Sequence, residues 1–274
     1  MVHTGFMAKI KTSESEKIFS PFEGDSFRFN CHRYLECFNR CCADLRLILT
    51  PLDIVRIRKR LGISSSVFLD KYTETVKVEY SSFPMVKLRM EDNESHTCPF
   101  VSPEGCIIYK DRPTACRLYP IGRASSKVEG ENGLREKFFI IREQHCLGFR
   151  ENRLWKLDEW LDHEGIRQYD EMNTQWIEIT SSSNRLRGGG DLTKRLKMFF
   201  MASYNPDRLR DFFFESSFFS QFHASDDLKE ALKSDDLELL KFGFLWLKFS
   251  LFGDKTLKLE ASPAQNRTTK PRHV

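Results

Sequence analysis

Residues 31–42 read CHRYLECFNRCC, placing Cys31, Cys37, Cys41 and Cys42 within twelve positions. Four more cysteines, Cys98, Cys106, Cys116 and Cys146, complete the chain's eight, and none follows them. Scattered core thiols would not be partitioned so sharply toward one end. Thiols at this density pair as disulfides, pack as small apolar side chains, or ligate metal as thiolates. The 274-residue chain is too long to depend on disulfides. Its opening stretch, MVHTGFMAKIKTSESEKIFS, lacks the apolar segment of about 7–15 residues expected of a secretory leader. The expectation is therefore a cytoplasmic protein with reduced thiols, and a metal site drawn from all eight cysteines.

The surroundings suit that chemistry. In CPFVSPEGCIIYKDRPTACRLYPI, Pro99 follows Cys98, Gly105 precedes Cys106, and Pro113 stands three residues before Cys116. Turns locked by Pro or Gly hold a sulfur in place, and Gly105 is expected to take a positive φ. Arg33, Arg40 and Arg46 flank the first cysteine group, and Arg112, Arg117 and Arg123 the second. Guanidinium groups and N–H donors would stabilise clustered thiolates, although any one of these arginines can equally be solvated surface. His32, His96 and His145 each neighbour a cysteine, yet a lone histidine is more often a satisfied polar residue than a ligand.

Structural zinc favours paired knuckles of the form C-x2-4-C. The spacings of that size here, Cys37 to Cys41 and Cys37 to Cys42, share one member. Iron–sulfur clusters tolerate irregular spacing because the inorganic core is larger than one ion. The spacing favours a 4Fe–4S cluster over Zn2+, while the ligand type suits both. Adjacent side chains diverge, so Cys41 and Cys42 can serve different sites or different irons.

The succession of CHRYLECFNRCC, LTPLDIVRIRKRLGISSSVFLDKY, CPFVSPEGCIIYKDRPTACRLYP and QHCLGF resembles the YkgJ-type cysteine-cluster family. That family's domain is described as zinc- or iron-chelating and opens with a C-x-x-C-x-x-C-C-like motif. The resemblance covers roughly residues 27–150 and implies a metal site more than a biological role. The opening spacing here, C-x5-C-x3-C-C, is longer than the family's, so either the loop bulges or one of Cys31 and Cys37 is not a ligand. The resemblance extends loosely to flagellin lysine methylases, which implies protein modification as an alternative. No nucleophile–base constellation or nucleotide loop in the sequence supports that alternative.

The elements that would position these thiols are short. Thr50 is a good N-cap, Pro51 suits the first helical position, Asp53 completes an acidic first turn, Gly62 ends the helix, and Ser64 can cap another. With Arg56, Arg58, Lys59 and Arg60, this pair could be the helix-turn-helix of a DNA-binding redox or metal sensor. The second helix, SSSVFLDKYTE, offers Asp70 and Glu74 where bases would be read. A structural pair is favoured, and a nucleic-acid partner is not expected. TVKVEY and MVKLRM alternate across SSFP as a hairpin, and KVEGENGLREKFFIIRE suggests another turning at residues 129–133.

Beyond Cys146 the pattern turns helical. LWKLDEWLDHEG and IRQYDEMNTQWIEI carry Trp155, Trp160, Tyr169 and Trp176 at packing positions, and SSSNRLRGGG reads as a linker. Residues 191–258 hold twelve of the 24 phenylalanines, with Asn205 expected to cap a helix starting at Pro206 and Ser234 to cap one that starts near Asp235 and stops at Gly253. The last helix is apolar on most sides, which suggests burial in a bundle or, alternatively, a protein partner or membrane interface. No stretch reaches the roughly 18 apolar residues of a membrane span.

The expected fold class is α+β: a small metal-organised cysteine-cluster domain of short helices and hairpins over 21–180, followed by an all-α Phe-rich module over 191–258. Residues 1–20 and 259–274 read as tails and 181–190 as the linker. The expected function is metal binding, as an iron–sulfur cluster or zinc, in a structural or electron-transfer role.

Overall fold

The computed structural model describes residues 18–127, 134–182, 186 and 191–259. The expected α+β class holds, with short strands and hairpins in the N-terminal part and helices in the C-terminal part. Most of the proposed linker, the 129–133 turn and most of both tails lie outside the described residues.

Strands β1 (Phe19–Pro21) and β2 (Ser26–Arg28) precede the first cysteine loop. Helix α1 (Pro51–Leu61) starts as its sequence dictates: Thr50 and Asp53 form a reciprocal capping box, Pro51 occupies the first turn, and Gly62 closes the helix with a φ of 65°. Ser64 caps α2 (Ser65–Tyr72) by accepting from the Val67 N–H. The basic residues of α1 are committed within the chain. Arg56 and Arg60 pair with Asp111 at 3.3 and 2.7 Å, Lys59 pairs with Asp236 at 3.2 Å, and Arg58 pairs with Asp236 and Asp207.

A hairpin follows, β3 (Thr73–Val78) and β4 (Ser81–Leu88), with a register shift between Val76 and Val78. The chain reverses at residues 79–80, so SSFP is not the turn but the start of β4. Ser81 and Phe83 are buried, and their burial draws the segment into the sheet. The backbone ahead of α1 extends this layer, where Leu49 N–H donates to Val86 O at 2.8 Å.

A two-residue hairpin, β5 (Val101–Ser102) and β6 (Gly105–Cys106), precedes the short helix α3 (Thr114–Leu118). Strands β7 (Ile121–Lys127) and β8 (Leu134–Ile141) pair antiparallel, and β1 adds to the far edge of β8. LWK, expected to be helical, is instead β9 (Leu154–Lys156), drawn into pairing with β2 by register Phe27 to Trp155.

Helices α4 (Leu157–His163) and α5 (Arg167–Ser181) lead to the Phe-rich region. There α6 (Leu192–Tyr204), α7 (Pro206–Glu215), α8 (Phe218–Gln221), α9 (Asp226–Ser234) and α10 (Asp236–Phe252) follow in close succession. Asn205 caps α7, and α10 ends at Gly253; its N-cap is Asp235 rather than the expected Ser234, because Ser234 is the last residue of α9 and its hydroxyl donates to Glu230 O at 3.0 Å. One contiguous apolar cluster joins Leu49, Ile54, Phe68, Phe83 and Val86 to Phe199, Leu209, Phe213, Phe244 and Leu251. Phe83 of β4 stacks on Phe199 of α6 with ring centroids 4.1 Å apart. Helix α10 lies inside this cluster, its Lys241 and Lys248 paired with Glu238 and Glu178 at 3.0 and 2.7 Å. A smaller cluster of Phe27, Phe29, Ile121, Ile140, Trp155 and Trp160 backs the first cysteine loop.

Candidate metal centre

All eight cysteines are free; Cys106 ends β6, Cys116 lies within the short helix α3, and the other six lie on turns and loops between elements. Cys31 is exposed just beyond β2, and Cys37 is buried. Cys41 and Cys42 sit on a single 3-10 turn, Arg40–Cys42, entered through Asn39 at a φ of 67°. The Asn39 side chain donates to Ser102 O at 2.8 Å, which ties this turn to the β5–β6 hairpin. Cys146 opens a second 3-10 turn, Leu147–Arg150.

The thiols fall into two neighbouring sets. Cys31, Cys37, Cys41 and Cys146 bear on one another electrostatically, and the Leu147 N–H donates to Cys37 Sγ at 3.3 Å. Cys98, Cys106 and Cys116 form the second set. In it, the Cys98 carbonyl accepts from Val101 N–H at 3.1 Å, and Val101 pairs with Cys106 across the small hairpin. Cys42 bridges the sets: its thiol meets that of Cys41, and its carbonyl accepts the Cys98 N–H at 2.8 Å.

One local device recurs. The backbone N–H groups of Phe100, Ile108 and Gly148 face the sulfurs of Cys98, Cys106 and Cys146, each from two residues downstream, and oppose the rise of those thiols. Such donors hold a sulfur in orientation and favour its thiolate form. Two glycines make the turns possible. Gly105 takes a φ of 123°, beside the Phe38 ring, as its sequence context led us to expect. A Cβ on Gly148 would fall 2.6 Å from the Phe29 ring.

Burial nevertheless dominates the acidity of these thiols. Although Cys31 as a residue is exposed, the protein packed around its sulfur strips enough solvent to push it up to about 11, with Cys41, Cys146 and Cys37 adding to the rise and Arg112 opposing it. Burial likewise takes Cys98 to about 11 against the Phe100 N–H, and lifts Cys116 well above the ordinary thiol range. With their acidity weakened rather than enhanced, these are not the cation-activated thiols used as nucleophiles.

Arg112 is the cation common to both sets, acting on Cys31, Cys106 and Cys116. Its guanidinium pairs with Glu164 and lies 3.9 Å over the Tyr109 ring. Arg117 donates to Glu164 O at 2.9 Å, and Arg123 pairs with Asp170 at 2.6 Å. The histidines face carboxylates, His32 with Glu151 at 3.5 Å and His145 with Glu143 at 3.4 Å.

Residues 30–147 match the CxxCxxCC family model, described as "Putative zinc- or iron-chelating domain". The match spans less than half of the chain, and it takes in all eight cysteines. No curated protein and no solved structure matches the chain. The CxxCxxCC match supports metal chelation by this segment. Its donors fit in type, since thiols with N–H groups aimed at sulfur suit zinc and iron alike. Among the described residues, no three Cys, His, Asp or Glu side chains converge at the spacing of one ion's ligands. Among them, too, no helix is long and apolar enough to cross a membrane.

Sequence reasoning missed two supports of the CxxCxxCC segment. Asp53, read only as a first-turn acid, also holds Thr114, two residues before Cys116, through two hydrogen bonds at 2.8 Å. Tyr119 places its hydroxyl against Cys146. Neither carries a spacing signal, because each relationship joins segments distant in sequence.

Proposed function

We propose that the eight thiolates hold metal as iron–sulfur rather than zinc, in a structural or electron-transfer role. The observation that carries this reading is the gathering of all eight cysteines into two adjoining sets, three members of which face a backbone N–H from two residues downstream. The irregular ligand spacing supports iron–sulfur, whose core spans more than a single ion. When bound, such a group supplies one-electron exchange or a cross-link between loops. The chain's own residues orient the sulfurs, exclude water around Cys37 and Cys116, and offset negative charge through Arg112. A cytoplasmic location accords with reduced thiols.

Anaerobic purification followed by iron, zinc and sulfide analysis tests this. Brown protein with a broad visible absorption bleached by dithionite is expected, and Cys41→Ser or Cys116→Ser should lower metal content. Colourless protein with stoichiometric zinc and no sulfide after anaerobic reconstitution would overturn the iron–sulfur reading. Full metal retention in every single cysteine variant would overturn the thiolate site itself.

A further inference from the structure

The Tyr119 hydroxyl is buried and makes no hydrogen bond of ordinary geometry. It lies beside the Cys146 thiol, and both residues pack on the cluster of Phe27, Phe29, Ile121 and Trp160. The ring is placed by other contacts. Phe29 meets it edge-on with centroids 5.9 Å apart, and the Tyr119 N–H donates to Ala115 O at 3.3 Å. An unmet buried hydroxyl costs about 1–3 kcal/mol, where phenylalanine would fill the same space at no such cost. A neutral thiol is a poor acceptor, whereas a thiolate takes charge-assisted hydrogen bonds. The Gly148 N–H faces the Cys146 sulfur from its own turn, and Tyr119, which follows α3, approaches from a separate segment.

We infer that Tyr119 is a positioning residue of the metal centre, its O–H donating to the Cys146 sulfur once that sulfur is a metal-bound thiolate. The inference rests on the metal-binding reading above. A donor to a ligating sulfur draws charge off it, which stabilises the reduced form of an iron cluster and raises its potential. With Co2+ as a spectroscopic probe, the same donor moves the sulfur-to-metal charge-transfer band to higher energy.

The test compares wild type with Tyr119→Phe as full-length, anaerobically prepared protein. For an iron-loaded chain, equal iron and sulfide content with a more negative midpoint potential in the variant supports the inference; equal potentials overturn it. For a zinc-loaded chain, the iron–sulfur reading falls separately, and the comparison passes to Co2+-exchanged protein. There a lower-energy charge-transfer band in Tyr119→Phe supports the inference, and coincident bands overturn it. Should Tyr119→Phe lose metal, Tyr119→His, which keeps a ring N–H, should recover it; failure of that rescue overturns a donor role. Wild-type protein that takes up neither iron nor Co2+ would overturn the metal reading and this inference together.

Discussion

The carboxylate of Asp53 accepts both the backbone N–H and the hydroxyl of Thr114, each at 2.8 Å, across 61 positions of chain. Its other oxygen accepts the Thr50 N–H at 2.9 Å, and the residue is 1% exposed. Burial raises the Asp53 carboxyl above its ordinary range despite the donors at Thr50 and Thr114. One side chain thus caps α1 and fixes the segment that carries Cys116.

Asp53→Ala should therefore destabilise the fold by about 2–4 kcal/mol, from the lost cap and the orphaned Thr114 groups. It should also reduce metal content. Thr114→Val should cost about 1–2 kcal/mol, and Thr114→Ser, which keeps the hydroxyl, less than about 1 kcal/mol. Denaturant unfolding with metal analysis of the same samples checks the series. Indistinguishable Val and Ser variants would remove the hydroxyl from the argument.

Asp236, 3% exposed at the start of α10, gathers Arg58, Lys59 at 3.2 Å and Arg210 at 2.5 Å. Burial alone would raise its carboxyl, but hydrogen bonding from Arg210 and the charges of Arg58 and Lys59 hold it below 3.8. A carboxyl lowered in the folded state stabilises above its ordinary value and loses that contribution as pH falls through the folded-state value. Asp236→Asn should cost about 2 kcal/mol at neutral pH, because it removes the carboxylate shared by Arg58, Lys59 and Arg210 and leaves Asp207 alone to face both guanidinium groups. The gap from wild type should persist to mildly acid pH and close only below 3.8. Denaturation of both proteins across the acid limb checks this; a gap constant throughout would show that the charge is not what stabilises.

Phe83 and Phe199 stack 4.1 Å apart, both essentially buried, one on β4 and the other on α6. Each replaced by Ala should cost about 3–5 kcal/mol. A double-mutant cycle should return a coupling of about 1 kcal/mol, the share specific to paired rings. Strict additivity would mean that the two sides of the core are energetically independent.

Much of the local structure was legible in the sequence because its causes are local. Thr50, Pro51, Asp53, Gly62 and Ser64 start and stop α1 and α2 through bonds spanning three or four residues. Asn205 and Gly253 delimit later helices in the same way, whereas the cap of α10 fell one residue past the expected Ser234, at Asp235. The cysteine motifs identified a chelating segment because thiol number and order are properties of the chain itself.

Tertiary structure settled whatever depends on a distant partner. LWK is a strand because β2 pairs with it, and the β3–β4 turn falls at residues 79–80 because Phe83 is needed beneath α6. Local pattern gives no weight to either partner. The grouping of Cys146 with the first cysteine loop, the reach of Asp53 to Thr114 and the approach of Tyr119 to Cys146 are contacts between loops that the core brings together. The sequence specifies which donors exist; packing of the apolar clusters behind the loops specifies which of them meet, because that burial is what offsets the entropy of fixing each loop.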